Sequence, residues 1–239
     1  MAYSRGTNAN IIVGAAALFL SKPDKTFTST TNVTNLPAFV AGTSFRETLS
    51  ANGNVTNVGY TNNGLEITFN PTFGDVMVDQ LLDVAKLYKS GMQVTLKTSF
   101  AEATLENLLV SIGQKGAVNA YTSTGVTYSG TVVTTAPQTN IESDTTSAHG
   151  TYIELLSGDL GDYPVERSLI AVGPGTGTAF AFGGTTSDQK ERVYIAYRAV
   201  SISNVTVSAK RDAATTFDVE FRLLPDDVGA YGKIVDRTF

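Results

Sequence analysis

His149 is the one histidine in this chain, and Asp144 and Ser147 lie close to it in the polar segment 143–150. Histidine, carboxylate and hydroxyl are the groups that nucleophilic acyl transfer uses. A triad, however, is a spatial arrangement of groups held on rigid elements, and crowding on one polar segment does not make one. His149 therefore reads as a loop histidine. Asp159, Asp162 and Glu166 could supply oxygen ligands to calcium, but they read more simply as a solvated acidic turn. With one histidine and no cysteine, the usual zinc sites are excluded. Gly173-Pro174-Gly175-Thr176-Gly177 has the glycine content of a phosphate cradle. It lacks the trailing Lys-Ser/Thr, the G-x-G-x-x-G spacing and a helix behind it, so it reads as a loop tip. Asn32, Asn54 and Asn204 open N-x-[ST] triplets in a chain rich in Asn and Thr. No catalytic, cofactor or metal residue is assigned.

The elements that would have to position such groups are mostly strands. Leu65, Ile67 and Phe69 alternate with polar residues, as a half-buried strand requires. Val94 and Leu96 do the same. Val193, Ile195 and Tyr197, then Val205 and Val207, then Phe217, Val219, Phe221 and Leu223 read as three strands of an antiparallel meander. Pro225-Asp226-Asp227 stops the last strand, and 228–239 reads as a tail. Residues 80–89 are ambiguous, because Val78, Leu81, Leu82 and Ala85 have helical spacing, and Ser90-Gly91 is a turn signal. Further hairpins are expected around Ser129-Gly130 and between 169–172 and 179–182, with a strand at 152–156.

One helix stands out. Ser99-Phe100-Ala101-Glu102 reads as a capping box, with Ser99 as N-cap and Glu102 reaching back. Leu105, Leu108, Leu109 and Ile112 follow as an amphipathic stripe, and Gly113 is the stop. The spacing predicts a helix over 101–112 with those four residues buried against the sheet of their own subunit.

Composition sets outer limits. The 239 residues carry a net charge of −5 and a pI near 4.9. The densest basic pair, Lys210-Arg211, is followed at once by Asp212, which argues against a groove that grips nucleic acid. The apolar run 11–20 is too short to span a bilayer as a helix and reads as a strand buried on both faces. The chain reads as one domain over 1–239. A long polar loop or arm occupies about 22–64, and a looser elaboration about 114–188. The arm carries too little apolar content to order itself and is expected to be ordered by a neighbouring subunit.

Val76-Met77-Val78-Asp79-Gln80, Lys86-Leu87-Tyr88-Lys89-Ser90-Gly91, Gln93-Val94-Thr95-Leu96-Lys97 and Ala101-Glu102-Ala103-Thr104-Leu105-Glu106-Asn107-Leu108-Leu109 occur in this order. The combination resembles the major tail protein, or tail tube protein, of long-tailed bacteriophages. Asn10 to Leu20 resembles the first strand of that family, and Phe217 to Pro225 its last. The resemblance implies a mainly β fold, an antiparallel β-sandwich or half-barrel with one flanking α-helix and long loops. It also implies homohexameric rings stacked into a tube in the virion, made in the host cytoplasm, through which DNA passes without tight binding. Tape measure and terminator proteins would be partners. No cofactor, membrane or catalytic residue is implied. Two other classes stay open: a carbohydrate-binding or adhesin-like β-sandwich module, and another ring-forming virion part such as a tail terminator or capsid decoration protein.

Overall fold

The computed structural model describes residues 14–23, 26–27, 36–80, 83–113, 119–122, 148–153, 164–175, 190–202, 204–207, 211 and 214–239. The protein is mainly β. The strands are β1 (Ala17–Ser21), β2 (Val55–Asn57), β3 (Thr61–Met77), β4 (Val84–Phe100), β5 (Asn119–Thr122), β6 (Ala148–Tyr152), β7 (Arg167–Pro174), β8 (Lys190–Ser201), β9 (Phe217–Leu224) and β10 (Gly232–Thr238). Two short helices, α1 (Phe45–Ser50) and α2 (Leu105–Ser111), complete the described elements. One 8-stranded antiparallel sheet runs β2-β1-β7-β8-β9-β4-β3, with β10 also paired to β8. β5 and β6 form a separate two-stranded ladder.

The sheet buries apolar side chains on both faces, and alternation along β1 shows why. Leu18 and Leu20 point into one cluster with Leu96, Phe100, Leu169, Ala171, Phe217 and Phe221. Phe19 points the other way, into a cluster with Phe45, Leu49, Ile170, Val193, Ile195 and Tyr197. A strand sandwiched in this way must be apolar at successive positions, which is the continuous run the sequence carries.

The second cluster is closed by α1, a helix within the segment expected to be a loop. Phe45 and Leu49, spaced i and i+4, are both fully buried. Two helices therefore flank the sheet where one was expected. The 22–64 segment also holds β2, paired to β1. These parts of it are ordered by their own subunit, because two large apolar side chains suffice to dock a short helix when a sheet face is bare.

α2 begins later than the capping-box pattern implies. The N-cap is Thr104, whose hydroxyl accepts from the Asn107 N–H at 3.2 Å. Ser99 lies in β4, opposite Asp218 of β9 and Asn62 of β3. The Ala101 N–H donates to Tyr60 O, and the Glu102 carboxylate accepts from the Tyr60 N–H at 2.9 Å. Backbone pairing on both sides of the strand thus outcompetes the reciprocal cap at Ser99. The buried face shifts as well. Leu109 is buried, whereas Leu105, Leu108 and Ile112 are half-buried, with Leu108 packed on the core. The other buried positions are polar. Asn107 Nδ2 donates to Val58 O and Glu102 O, and Ser111 Oγ donates to Asn107 O. Gly113 ends the helix at φ +65°, a conformation that favours glycine.

Several strand assignments also change. Residues 84–89 belong to β4, and Ser90-Gly91 marks a bulge inside it, where the register slips between Thr72 and Phe73. The 228–239 segment is β10, in register with β8 from Gly232↔Ala196 to Thr238↔Lys190. Residues 204–207 are not strand, so the expected meander loses its middle member. Gly173 and Pro174 lie in β7, whose hairpin partner is β8. The expected features at 129–130 and 179–182 lie outside the described residues. Of the strand expected at 152–156, Tyr152 is the last residue of β6 and Ile153 is not strand; 154–156 lie outside the described residues.

Candidate assembly surface

Of the His, Asp, Glu and Ser residues first singled out for chemistry, only His149 and Glu166 lie among the described ones. His149 lies in β6 at the register irregularity between Ala148 and Gly150, and Asp144, Ser147, Asp159 and Asp162 lie outside the described residues. Glu166 is engaged by Arg198 at 2.6 and 2.8 Å, which holds its carboxyl below the usual value. Among the described residues, no group of three or more His, Cys, Asp or Glu could hold a metal ion. No helix among them is long and apolar enough to cross a membrane.

The prominent surface is the β3–β4 hairpin. Each strand is 17 residues long. β9 pairs with β4 only from Val94 to Phe100, so the distal part of the hairpin has no third strand. From Pro71 to Met77 that free ribbon extends about 20 Å at roughly 3.3 Å per residue. A two-stranded ribbon is marginal in water without a packed face.

The register sorts its side chains into two faces. One face carries the pairs Ile67/Leu96, Phe69/Val94, Pro71/Met92, Phe73/Lys89, Asp75/Leu87 and Met77/Val84. The other carries Glu66/Lys97, Thr68/Thr95, Asn70/Gln93, Thr72/Gly91, Gly74/Tyr88 and Val76/Lys86, polar at the base with exposed Tyr88 and Val76 toward the tip. The first face begins inside the core at Leu96 and Val94 and ends bare, with Met77 70% and Leu87 62% exposed. Asn63 (φ +61°) and Gly64 (φ +69°) form a left-handed bulge between Asn62 and Leu65. That bulge turns Leu65 and Ile67 toward the core. Clustered apolar exposure on a strand edge marks either an interaction site or an aggregation hazard. Asp75, Asp79 and Asp83 lie around the turn together with Lys86 and Lys89, so the tip carries both signs of charge.

At the base of the hairpin lies a groove. β8 changes partner along one edge, from β10 over 190–196 to β9 over 198–201. Tyr231 bridges the fork by donating its hydroxyl to Met92 O at 2.9 Å. An apolar cleft of about 180 Å³ opens there, bounded by Ile67, Phe69, Val94, Tyr194, Tyr231 and Ile234. An adjoining cavity of about 370 Å³ shares Ile67, Phe69, Tyr194 and Ile234 and adds Ala15, Ala16 and Gly173. β3 ends the strand order on one side, yet it lines this cavity with residues adjoining β1 near the other end. The sheet is therefore strongly curled.

The half-buried arginines Arg192 and Arg198 of β8 are paired with carboxylates. Arg192 makes a paired contact with Asp236 at 2.5 and 2.6 Å, which raises the arginine pKa and lowers that of Asp236. Arg198 is likewise paired with Glu166 and has its pKa raised by that hydrogen bond. Arg222 is exposed on β9 opposite Thr95. No protein-family model and no curated protein sequence matches this chain.

Proposed function

We propose that this chain is a structural subunit that associates with copies of itself, and that the assembly is the stacked-ring tail tube of a long-tailed bacteriophage. The observation that carries self-association is the β3–β4 hairpin, whose apolar face is core at its base and bare at its tip. A free subunit leaves that face in water, at about 25 cal/mol per Å² of apolar surface, and covering it drives assembly. The tail-tube assignment rests on the ordered sequence resemblance, most of which falls on this hairpin and the helix after it. The curl that brings β3 close to the start of β1 supports the half-barrel part of the reading. Open edges at β3 and β10 offer backbone groups that a ring of copies would pair. In such a tube DNA is in transit, and paired arginines on an acidic subunit suit a lining that does not hold phosphates.

Sedimentation velocity of the purified chain over rising concentration, with negative-stain imaging of the fast fraction, tests this. Rings or tubes are the expected result. A particle that stays monomeric at high concentration overturns the proposal and favours a β-sandwich binding module.

A further inference from the structure

We propose that β10 and the segment from Phe39 to Ser50 form one latch, which opens and closes as a unit against the rest of the sheet. The latch lies within one subunit and needs no second copy.

Among the described residues β10 pairs with β8 alone, and its Lys233, Ile234, Asp236 and Thr238 are exposed. A strand with one neighbour and few buried side chains belongs to the low end of local stability, and by itself it would fray alone. Arg237 ties it to a second element. Its guanidinium leaves β10 for the loop before α1, donating to Val40 O at 2.5 Å and Thr43 O at 3.1 Å. It also lies 5.1 Å from the centre of the Phe39 ring, which packs on Phe45 of α1 at 4.5 Å between ring centres. The same guanidinium is 3.4 Å from the carboxylate of Glu191, which is fully buried. That carboxylate accepts from the Phe45 N–H and from the hydroxyl of Ser44, the N-cap of α1.

Glu191 makes the two movements inseparable. If β10 peels away while α1 stays, the carboxylate remains buried without the Arg237 cation. If α1 lifts while β10 stays, the carboxylate loses two donors and Arg237 loses the loop carbonyls. Each half-open state leaves a charged group under-partnered in the interior, and that is the costly way to break such a network. When both leave, water reaches the carboxylate. The apolar contacts divide along the same line, because Val235 of β10 packs on the cluster that holds Phe45 and Leu49.

The fixed side of the hinge is equally defined. Tyr231 O accepts from the Tyr197 N–H at 3.1 Å, and the Tyr231 hydroxyl donates to Met92 O. The turn before it is closed by the Asp226 carboxylate, which accepts from the Val228 and Ala230 N–H groups. Movement therefore starts at Gly232. Opening would bare the backbone edge of β8 over 190–196 and uncover the cluster around Ile170, Val193 and Ile195. The closed latch hides a sheet edge that could otherwise pair with another strand.

Hydrogen exchange on the full chain, followed by mass spectrometry, tests the latch. A Cβ at position 232 would collide with the Ile195 carbonyl of β8, so Gly232→Ala pries β10 at its root and leaves Arg237, Glu191 and α1 unaltered. Exchange in 232–238 and in 45–51 should then accelerate together, by about tenfold or more. Residues 94–100 and 217–224 should keep the rates of the unmodified chain. Acceleration confined to 232–238 shows β10 fraying alone and overturns the latch. Equal acceleration in all four segments, or in none, overturns it as well. The unmodified chain in rising, sub-denaturing urea gives a measurement free of any variant. There 232–238 and 45–51 should share one urea dependence of exchange, and two different dependences overturn the latch whatever the variant does.

Discussion

Glu191 of β8 and Arg237 of β10 are register partners, and their side chains meet in the interior, with Nη1 to Oε1 at 3.4 Å. Glu191 is completely buried. Its carboxylate also accepts from the Phe45 N–H at 2.8 Å and the Ser44 hydroxyl at 2.9 Å, at the start of α1. Arg237 donates to Val40 O and Thr43 O and lies against the rings of Phe39 and Phe239. One ion pair thus ties the edge strand, the central strand and the helix over the second core cluster into a single unit.

Replacing one partner leaves the other charged and buried. Arg237→Met is expected to cost about 3–5 kcal/mol, measured by urea unfolding. Combining it with Glu191→Met should cost less than the sum of the two single changes. Additive costs would show that the pair is not coupled.

The cap of α2 offers a second test. Thr104→Ala should cost about 1 kcal/mol, because the Asn107 N–H loses its acceptor. Leu109→Ala should cost about 2–5 kcal/mol as a buried truncation. Ser99→Ala should leave the helix signal in far-UV circular dichroism unchanged, because Ser99 belongs to β4. A loss of helix on that change would restore the capping box.

The hairpin tip should matter for assembly and not for folding. Leu87→Asp is expected to shift subunit stability by no more than about 0.5 kcal/mol, since the site is exposed. The same change should abolish fast-sedimenting species. Unchanged sedimentation would remove the hairpin from the interface.

Two surface pairs set the acid response. The carboxyls of Glu166 and Asp236 are lowered from ordinary values of 4.5 and 3.8 by hydrogen bonds from Arg198 and Arg192. A lowered folded pKa stabilises the native state above the unfolded pKa. That contribution is lost as the pH falls through the unfolded value and on through the lower folded one. Each pair is solvent-exposed enough that about 0.2–1 kcal/mol is at stake. Urea midpoints should therefore fall between about pH 5 and pH 3 in the unmodified chain. The fall should be shallower in a Glu166→Gln, Asp236→Asn variant, and equal slopes would count against the pairs.

The same pairing bears on nucleic acid. Arg192 and Arg198 have carboxylate partners, so the chain should show no measurable affinity for duplex DNA in anisotropy titrations, even at low salt. Glu166→Gln with Asp236→Asn frees both guanidiniums and should introduce weak, salt-sensitive binding. Micromolar binding by the unmodified chain would reject the non-gripping conduit.

The sequence by itself determined the β class, because side-chain alternation is a local property of a strand. Leu65-Ile67-Phe69 and Phe217-Val219-Phe221-Leu223 announce their buried faces without reference to any partner. The apolar run through Leu18, Phe19 and Leu20 declares burial on both sides for the same reason. The stop at Gly113 was equally local, since a left-handed residue is needed there whatever the helix packs on.

Tertiary structure decided what depends on partners distant in the chain. Ser99-x-x-Glu102 is a valid cap pattern, but β9 and the Tyr60 backbone compete for the same groups, and they win. α1 needs only Phe45 and Leu49, too short a stripe to read until a bare sheet face exists to receive it. β10 looked like a tail because its side chains are mixed. Its place comes from backbone pairing with β8 and from Arg237 reaching a glutamate 46 positions away. The candidate surface was least legible of all. Val84 and Leu87 lie in the 80–89 stretch that reads as either strand or helix, and nothing in the sequence marks Phe73 or Met77 as surface. Only the length of the hairpin beyond its last supporting strand leaves them without a cover.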